Sequence, residues 1–438
     1  MVKPIDTALI SLRGDTVGAV AWLSDKGYGV FEYDTKFLKL GLNLSPIHMP
    51  LEDAIKGQTI FSFPGLQRET FLGLPGMLAD ALPDKFGNRI IDAWLANQGR
   101  DQASFNPVER LCYTGKRAMG ALEFSPCIST NFDQSVTIEI SDMVSLAQQI
   151  LKSRSDIKLQ ISNNENDNAE AIMDILRVGT SAGGARAKAV IALNDDGHVL
   201  SGQTEAPKGF DYWLLKFDGV TDLELGETRG YGRIEYAYAM MAKQAGIQMA
   251  ECRLLEENGR AHFMSKRFDR HQGQKIHMQS LCALGHYDFN QAGAYSYEDA
   301  FTVMRRLRLN KAAAIEQYRR MLFNVFARNQ DDHTKNIAFL MDENGQWQLS
   351  PAFDMTYAHN PGGLWTSQHQ MSLNGKRDNF TLQDLTAVGE SISLPSPKHT
   401  IEEVANAINN WPKHAKNAGV QKKVCNEISK QHRLDIIQ

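Results

Sequence analysis

The sequence predicts an α+β fold of two lobes, with a β-rich N-terminal lobe that carries an extra subdomain and an all-helical C-terminal lobe. Two observations lead to this prediction. Short β-rich runs broken by Gly and Asp fill residues 8–33, and further strand patterns occur at residues 189–193 and 211–216. From Tyr297 onward, helical patterns dominate. The predicted boundaries are residues 1–130 for the subdomain, 131–266 for the rest of the N-terminal lobe and 267–438 for the C-terminal lobe.

The composition is that of an ordinary globular protein. The chain has 438 residues, 42% of them hydrophobic and 22% charged, which is enough for two or three cores. Its net charge of −4 lacks the basic excess of a protein that binds nucleic acid by itself. The five cysteines form no CxxC pair, which argues against a zinc site or a disulfide framework. Without a signal peptide or an apolar run near the ~20 residues of a membrane span, we expect a soluble, cytoplasmic protein.

The predicted elements can be placed in chain order. In the N-terminal lobe we expect strands within residues 8–33, a helix over 84–97, a short strand within 117–126, a helix over 144–154 and an exposed polar loop at 162–170. A helix at 171–178, the Gly-rich stretch "GTSAGGARAK" (179–188), two strands and a helix over 233–246 follow. The remaining helices are predicted over residues 296–309, 311–329 and 400–419.

The most informative stretch is "NQDDHTKN" (329–336), which lies directly before the strand pattern "IAFLM". A hairpin signal, Asn344-Gly345, and a return strand lead on to Asp354. The hairpin therefore predicts that Asp331, Asn336 and Asp354 converge, and three oxygen-bearing side chains suit Mg²⁺ together with phosphate. An aspartate followed by an asparagine five residues later, a short hairpin and a second aspartate is the skeleton of the protein-kinase catalytic and metal loops. A solvated hairpin with incidental acids is the alternative.

The Gly-rich stretch is a second candidate, for binding phosphate. It is neither a Walker A loop nor a GxGxxG loop, but Gly183 and Gly184 allow backbone N–H groups to approach phosphate, and Lys188 supplies charge. A simple turn is the alternative. Lys216, at the end of the second strand, is either a phosphate-pairing lysine or an ordinary edge lysine, and Glu235 either orients it or faces solvent. His333 more often fixes such a loop by hydrogen bonds than binds a metal.

Six motifs together resemble the HipA-type serine/threonine kinases, the toxins of bacterial type II toxin–antitoxin modules. They are "FLGLPGMLADALPDKFGN" (71–88), "GKRAMGALEFSP" (115–126), "TSAGGARAK" (180–188), "SKRFDR" (265–270), "NQDDHTKN" (329–336) and "SPAFDMT" (350–356). The resemblance implies a two-lobed, protein-kinase-like fold, ATP and Mg²⁺ as cofactors, and Asp331 as the catalytic base. It implies Asn336 and Asp354 as the Mg²⁺ ligands and Ser181 as an autophosphorylated, regulatory serine.

The resemblance also implies an ATP site. Its expected residues are Gly183, Gly184, Ala185, Arg186, Lys188 and Lys216 at the phosphates, Lys266, Arg267 and Phe268 at the adenine hinge, mainly through backbone, and His333, Lys335, Asn336 and Asp354 beside the nucleotide. The implied partner is a small helix-turn-helix antitoxin that contacts DNA, so this chain would meet DNA only indirectly. The implied substrate is a protein, with an aminoacyl-tRNA synthetase as the best-known example.

Two other functions remain open at the level of sequence. A small-molecule kinase shares the Asp-to-Asn loop, although the "GMLADALPDKFGN" region argues against it. A non-catalytic, nucleotide-binding corepressor that bridges antitoxin dimers is the second alternative. The joint presence of Asp331, Asn336, Asp354 and Lys216 argues against a loss of catalysis.

Overall fold

The computed structural model describes residues 5–83, 85–97, 99–101, 104–128, 139–152, 186–203, 205–220 and 230–437. The chain divides into two compact units, each made of segments that are separate in sequence. Unit 1 consists of Met1–Arg229, Leu255–Met278 and Asp342–Gly345, and unit 2 consists of Gly230–Leu254, Gln279–Met341 and Gln346–Gln438. The predicted domain boundaries at residues 130 and 266 remain predictions.

Unit 1 begins with a five-stranded antiparallel sheet. Its strands are β1 (Thr7–Leu12), β2 (Asp15–Leu23), β3 (Tyr28–Tyr33), β4 (Ile60–Phe61) and β5 (Leu122–Ser125), in the order β4-β3-β2-β1-β5. Side chains alternate between the two faces, so Ile10, Val20 and Phe31 are buried while Leu9 is exposed. The helices are α1 (Leu51–Ile55), α2 (Arg68–Phe71), α3 (Gly76–Ala79), α4 (Lys85–Asn97) and α5 (Pro107–Thr114). The predicted strands and the helix near 84–97 are confirmed.

A second five-stranded sheet carries the predicted strands that flank the Gly-rich stretch. Its strands are β6 (Lys188–Asn194), β7 (Val199–Ser201), β8 (Phe210–Lys216), β9 (Cys252–Glu257) and β10 (Arg260–Lys266), in the order β7-β6-β8-β10-β9. The buried residues Ile191, Trp213 and Leu215 share one core with Ile90 of α4 and Val144 of helix α6 (Ile140–Lys152). This packing fixes the ends of β6 and β8, where the two candidate lysines lie. The helix predicted at 171–178 lies outside the described residues.

Unit 2 is mostly helical. It contains α7 (Tyr231–Gln244), α8 (Leu281–Gly285), α9 (Tyr297–Arg306), α10 (Lys311–Ala327), α11 (Leu382–Ser391), α12 (Pro397–Asn409), α13 (Trp411–Asn417) and α14 (Lys422–Ser429). The single helix predicted over 400–419 is wrong, because α12 ends at Asn409 and α13 begins at Trp411. Pro412 explains the break, since proline has no N–H and its ring clashes with the carbonyl four residues earlier.

The expectation that residues 267–438 are all helical is also wrong. They contain β11 (Arg270–His271), β12 (Gln274–Lys275), β13 (His277–Ser280), β14 (Ala338–Met341) and β15 (Trp347–Leu349). Strands β13, β14 and β15 form one sheet in that order, and β14 pairs antiparallel with β15 through Phe339–Leu349 and Met341–Trp347. The turn residue Gly345 has φ 78°, a conformation that glycine adopts without strain. Among the described residues no helix has the length and apolar character needed to cross a membrane.

Candidate active site

The loop 329–336 is held between helix α10 and strand β14. Helix α10 ends where Arg328 adopts a left-handed conformation (φ 56°, ψ 41°), which turns the chain out of the helix. Asn329 then forms an isolated parallel bridge with Ala358, and a short 3₁₀ helix, Thr334–Asn336, leads into the strand. The Thr334 hydroxyl donates to the carbonyl of Tyr287 at 2.9 Å. The charged loop is therefore a fixed part of unit 2 rather than a solvated turn.

Asp331 lies at the accessible side of this loop. Its side chain is 42% exposed, and its Oδ1 accepts a hydrogen bond of 2.6 Å from Nε1 of Trp365. His333 Nε2 is 3.8 Å from the same oxygen. The Asn336 amide nitrogen donates to the backbone carbonyl of Asp331 at 2.8 Å. Asp331 thus has one carboxylate oxygen held by the protein and one that accepts no hydrogen bond from the residues that the structure describes.

Asp354 and Asn336 line the same small cavity in unit 2. Asp354 has φ 53°, a left-handed conformation that a non-glycine residue adopts at a cost of about 1–3 kcal/mol and that concentrates at functional sites. Three other atoms of the cavity wall are buried without a hydrogen-bond partner in the described residues: Nδ1 of His333, Oδ1 of Asn329 and Oε1 of Gln317. A cavity with so many open polar atoms suits a polar occupant.

The donor set at this cavity fits Mg²⁺. The amide nitrogen of Asn336 is engaged with Asp331, which leaves its Oδ1 as a cation ligand, and Asp354 adds a carboxylate. Among the described residues, no group of three or more His, Cys, Asp and Glu side chains could hold a metal ion. One amide oxygen and one carboxylate suit Mg²⁺ that arrives with phosphate oxygens, because Mg²⁺ is commonly bound by one or two carboxylates plus substrate phosphate.

Asp332, next to the candidate base, anchors the loop from inside. It is buried and accepts hydrogen bonds from the Tyr297 hydroxyl (2.7 Å) and the Gln370 backbone N–H (2.7 Å), and it pairs with His369 Nδ1 at 2.8 Å. Burial raises the pKa of this carboxyl, but His369 and these hydrogen bonds outweigh it and hold the pKa below its usual value. Asp332 is therefore a charged anchor of the loop, and both of its carboxylate oxygens are engaged by the protein.

Lys188 and Lys216 are direct partners across β6 and β8. Residues directly opposite on neighbouring strands point to the same face of the sheet, and like charges in such a pair destabilise it. Lys188 is only 2% exposed, while Lys216 is half-buried with its Nζ 5.8 Å from the ring centre of Phe263. The register therefore places two lysines side by side on one face of the sheet, a position that is compatible with the predicted phosphate site. Arg186 lies two residues before Lys188, whereas Ser181, Gly183, Gly184 and Ala185 lie outside the described residues.

The segment Lys266–Phe268 has its charged side chains engaged elsewhere. Lys266 Nζ donates to Asp211 at 2.6 Å, and the buried Arg267 guanidinium binds both carboxylate oxygens of Asp269 at 2.9 and 2.6 Å. The Arg267 backbone N–H donates to the carbonyl of Tyr212 at 2.8 Å. Any contact of Lys266 and Arg267 with a nucleotide therefore falls to the remaining backbone groups.

The other predicted residues lie beside Asp331. Lys335 Nζ is 5.0 Å from the ring centre of Phe289, and the ring centre of His333 is 5.4 Å from that of Phe289 and 6.3 Å from that of Trp365. Glu235, for which a solvent-facing position was one alternative, is buried, so that alternative is wrong. Unit 2 thus brings together Asp331, His333, Lys335, Asn336 and Asp354, and unit 1 brings together Lys188 and Lys216.

Sequence reasoning missed three residues that hold the site. Trp365 and His369 lie 34 and 37 positions after the loop residues they bind, in a segment without helical or strand periodicity. Tyr297 is the first residue of helix α9, and its place in the helix pattern is that of an ordinary core residue. The one available signal was Trp365 itself, a tryptophan in the Gly-rich loop that follows Asp354.

Comparison with known proteins identifies two family domains. The HipA N-terminal domain matches residues 8–125, and the HipA-like C-terminal domain matches residues 180–412. Y4mE of Sinorhizobium fredii, which carries a provisional kinase designation, is 26% identical over 153 residues. This match covers 32% of the present chain and 33% of Y4mE, so the chain matches about a third of that relative.

Two solved structures are similar to this chain. A chain of the Shewanella oneidensis complex of the toxin–antitoxin proteins HipA and HipB with operator DNA has a TM-score of 0.67 at 15% identity, with coverage of 97% of this chain and 94% of that one. The likeness shows a shared mixed α/β fold. The Helicobacter pylori proinflammatory kinase CtkA gives a TM-score of 0.33 at 14% identity, over 52% of this chain and 89% of its own.

Proposed function

This chain belongs to the HipA family, and we propose that it is an ATP-dependent protein serine/threonine kinase that acts as the toxin of a type II toxin–antitoxin module. The observation that carries the proposal is the loop of unit 2. An accessible carboxylate at Asp331 lies next to a cavity lined by Asn336 and Asp354, with the spacing of kinase catalytic and metal loops.

The proposed reaction transfers the γ-phosphoryl group of ATP to a hydroxyl group. The hydroxyl oxygen bonds to the γ-phosphorus, the bond from that phosphorus to the leaving oxygen of ADP breaks, and the hydroxyl proton passes to Asp331. When bound, Mg²⁺ supplies charge neutralisation at the phosphate oxygens. Asn336 and Asp354 would hold it, and the Lys188–Lys216 pair, with the Gly-rich stretch at 183–186, would bind phosphate. Lys266–Phe268, His333 and Lys335 remain the proposed residues around the rest of the nucleotide.

The proposed partner is a helix-turn-helix antitoxin of the HipB type. The similar Shewanella chain comes from a complex with HipB and operator DNA, and the net charge of −4 of the present chain suits DNA contact through a partner. We therefore expect the purified chain alone to leave the mobility of an operator fragment unchanged. A fragment already bound by a HipB-type antitoxin should be retarded further when the chain is added. Retardation of DNA by the chain alone would contradict this proposal.

The proposed substrate is a protein, with an aminoacyl-tRNA synthetase as the class that the family resemblance suggests. The decisive experiment incubates the purified chain with γ-labelled ATP, Mg²⁺ and lysate proteins, beside the Asp331→Asn variant. We expect label in protein with the parent and none with the variant. Label found only in small molecules would favour a small-molecule kinase, and nucleotide binding with no transfer at all would favour the corepressor alternative.

Autophosphorylation at Ser181 is the regulatory part of the proposal. A phosphate there adds about −1.5 to −2 charges near pH 7, which would repel ATP phosphates from the neighbouring Gly-rich stretch and lower activity. Mass spectrometry of the chain after incubation with Mg-ATP should find phosphate on Ser181 in the parent and not in Asp331→Asn. Full activity with Ser181 fully phosphorylated would refute the regulatory role.

A further inference from the structure

We propose that Trp365 is a positioning residue for phosphoryl transfer, because its indole N–H fixes the carboxylate of Asp331. This inference rests on the proposed kinase function and adds to it a residue outside the Asp-to-Asn loop. The observation is direct: Nε1 of Trp365 donates to Oδ1 of Asp331 at 2.6 Å, and no other side chain in the described residues donates a hydrogen bond to this carboxylate.

The segment that carries Trp365 is bonded to the catalytic loop on both sides of Asp331. Before it, the N–H of Gln330 donates to the carbonyl of Ala358 at 3.0 Å. After it, Asp332 accepts the backbone N–H of Gln370 at 2.7 Å. Both neighbours of Asp331 in sequence are thus tied to one segment, residues 358–370, and Trp365 lies near its middle.

The carbonyl of Trp365 is held as well. The side-chain amide of Gln370 donates to it, and also to the carbonyl of Gln368 at 3.1 Å. The backbone N–H of Asn360 donates to the carbonyl of Thr366 at 3.1 Å, which closes the segment on itself. The indole is therefore presented from a fixed backbone, although the segment has no helix or strand of its own.

The chemistry of the indole decides what this contact does. An indole N–H is a donor only, so it does not compete with Asp331 for a proton. It occupies Oδ1 and leaves Oδ2 facing away from that bond as the oxygen for the substrate hydroxyl. A half-exposed carboxylate without this bond would rotate about its side-chain torsions. A misplacement of about 1 Å in a reacting group costs on the order of a hundredfold in rate.

The test variant is Trp365→Phe, which keeps an aromatic ring against His333 and removes only the N–H group. We expect kcat to fall by about ten- to a hundredfold, with the KM for ATP unchanged and the melting temperature close to that of the parent. Leu364→Ala is the matched control, because Leu364 is the fully exposed neighbour on the same segment, and it should leave kcat unchanged. An unchanged kcat in Trp365→Phe would overturn the proposal, and a raised kcat would show that Trp365 blocks the base instead.

Tryptophan fluorescence tests the contact without reference to activity. The contribution of Trp365 is the difference between the spectra of the parent and Trp365→Phe, and the same difference is measured in Asp331→Asn and Asp331→Ala backgrounds. Asn keeps an Oδ1 acceptor and should preserve the Trp365 spectrum, whereas Ala should shift it. No shift in Asp331→Ala would overturn the contact even if transfer from ATP is intact. If Asp331→Ala shifts the Trp365 spectrum but the parent transfers no phosphate from ATP, the contact stands and the proposed kinase function is overturned.

Discussion

Two motifs of this chain look alike in sequence and have opposite structural roles. "SKRFDR" in unit 1 and "NQDDHTKN" in unit 2 both place several charges next to an apolar strand pattern. In the first, the buried Asp269 accepts two hydrogen bonds from Arg267, one from Arg270 at 2.8 Å and one from the backbone N–H of Gly120 at 2.7 Å. In the second, Asp331 is partly exposed and holds one hydrogen bond to its side chain.

The difference gives a criterion that separates a structural charge from a candidate catalytic one. Both carboxylate oxygens of the buried Asp269 accept hydrogen bonds inside the protein, so Asp269 joins the N-terminal sheet region to the end of β10. Asp331 keeps one oxygen open, beside a cavity whose wall contains unpartnered polar atoms. A charge-rich sequence alone does not distinguish Asp269 from Asp331. The number of carboxylate oxygens that accept hydrogen bonds from the protein does.

The largest expected effect is that of Asp331→Asn on catalysis. Asp331→Asn keeps the shape of the side chain and its acceptor for Trp365 but removes the proton acceptor. We expect kcat to fall by about 10²- to 10⁴-fold, the range for loss of a general base, with the melting temperature unchanged. Steady-state transfer from labelled ATP and a thermal melt of the same sample measure both. A rate within a few fold of the parent would remove Asp331 from its assigned role.

The second effect is on stability. Asp269→Asn leaves Arg267 and Arg270 buried without their counter-charge, and breaking a buried ion pair on one side costs about 3–5 kcal/mol of unfolding free energy. Calorimetry should show a clear fall in the melting temperature of the protein. Glu52→Gln, which removes the fully exposed ion pair of Glu52 with Lys56, is the control and should leave the melting temperature unchanged.

The loss in Asp269→Asn should also depend on pH. Burial raises the pKa of Asp269, but Arg267, Arg270 and the Gly120 N–H outweigh it and hold the pKa well below its usual value. The contribution of a group whose pKa is depressed on folding is present above its unfolded pKa of about 3.9 and is lost as the pH falls toward the folded value. Parent and variant should therefore differ most near neutral pH and converge below about pH 4. A constant difference from pH 7 to pH 2 would contradict the ionised cluster.

Most of the strands and helices could be predicted because their signals are local. Alternation along β1 and β2 and the apolar stripe of α10 each lie within a few residues, and the position of Asp354 followed from a hairpin whose turn is marked by Gly345. The split between α12 and α13 was missed although Pro412 marks it. The hairpin of β14 and β15 was predicted, whereas the short strands β11 to β13 were not, and together they show that the C-terminal region is not all helical.

The supporting residues of the site could not be predicted in the same way. Trp365 and His369 reach the loop from a segment whose backbone follows no repeating pattern, so neither spacing nor periodicity links them to Asp331 and Asp332. The pairing of Lys188 with Lys216 depends on the register of β6 and β8, which cross-strand packing sets. Such contacts follow from tertiary structure, and local sequence patterns do not specify them.

The next prediction concerns the proposed ligand, Mg-ATP. Mg-ATP at ~100 times its dissociation constant should add about 2.7 kcal/mol to the unfolding free energy, because a ligand that binds only the folded state stabilises that state. Thermal melts with Mg-ATP, and with ATP plus EDTA, separate the stabilisation that depends on Mg²⁺ from the stabilisation by ATP alone. Asp354→Asn should weaken the Mg-dependent part. An equal shift in EDTA would show that Asn336 and Asp354 do not hold the metal.

The smallest expected effect comes from Asp332, which is buried like Asp269 but belongs to the loop of Asp331. His369→Gln replaces the ring that pairs with Asp332 Oδ2 at 2.8 Å, while the hydrogen bonds from Tyr297 and the Gln370 backbone remain. The loss of one of three donors to a buried carboxylate should lower the unfolding free energy by about 1–2 kcal/mol. Because Asp332 and Asp331 are adjacent, we also expect a modest fall in kcat with the KM for ATP unchanged. His399→Gln, at an exposed histidine paired with Glu403, is the control and should change neither quantity. If His369→Gln proves as stable as the parent, Tyr297 and Gln370 alone suffice to hold Asp332, and the His369 pair adds nothing to the anchoring of the loop.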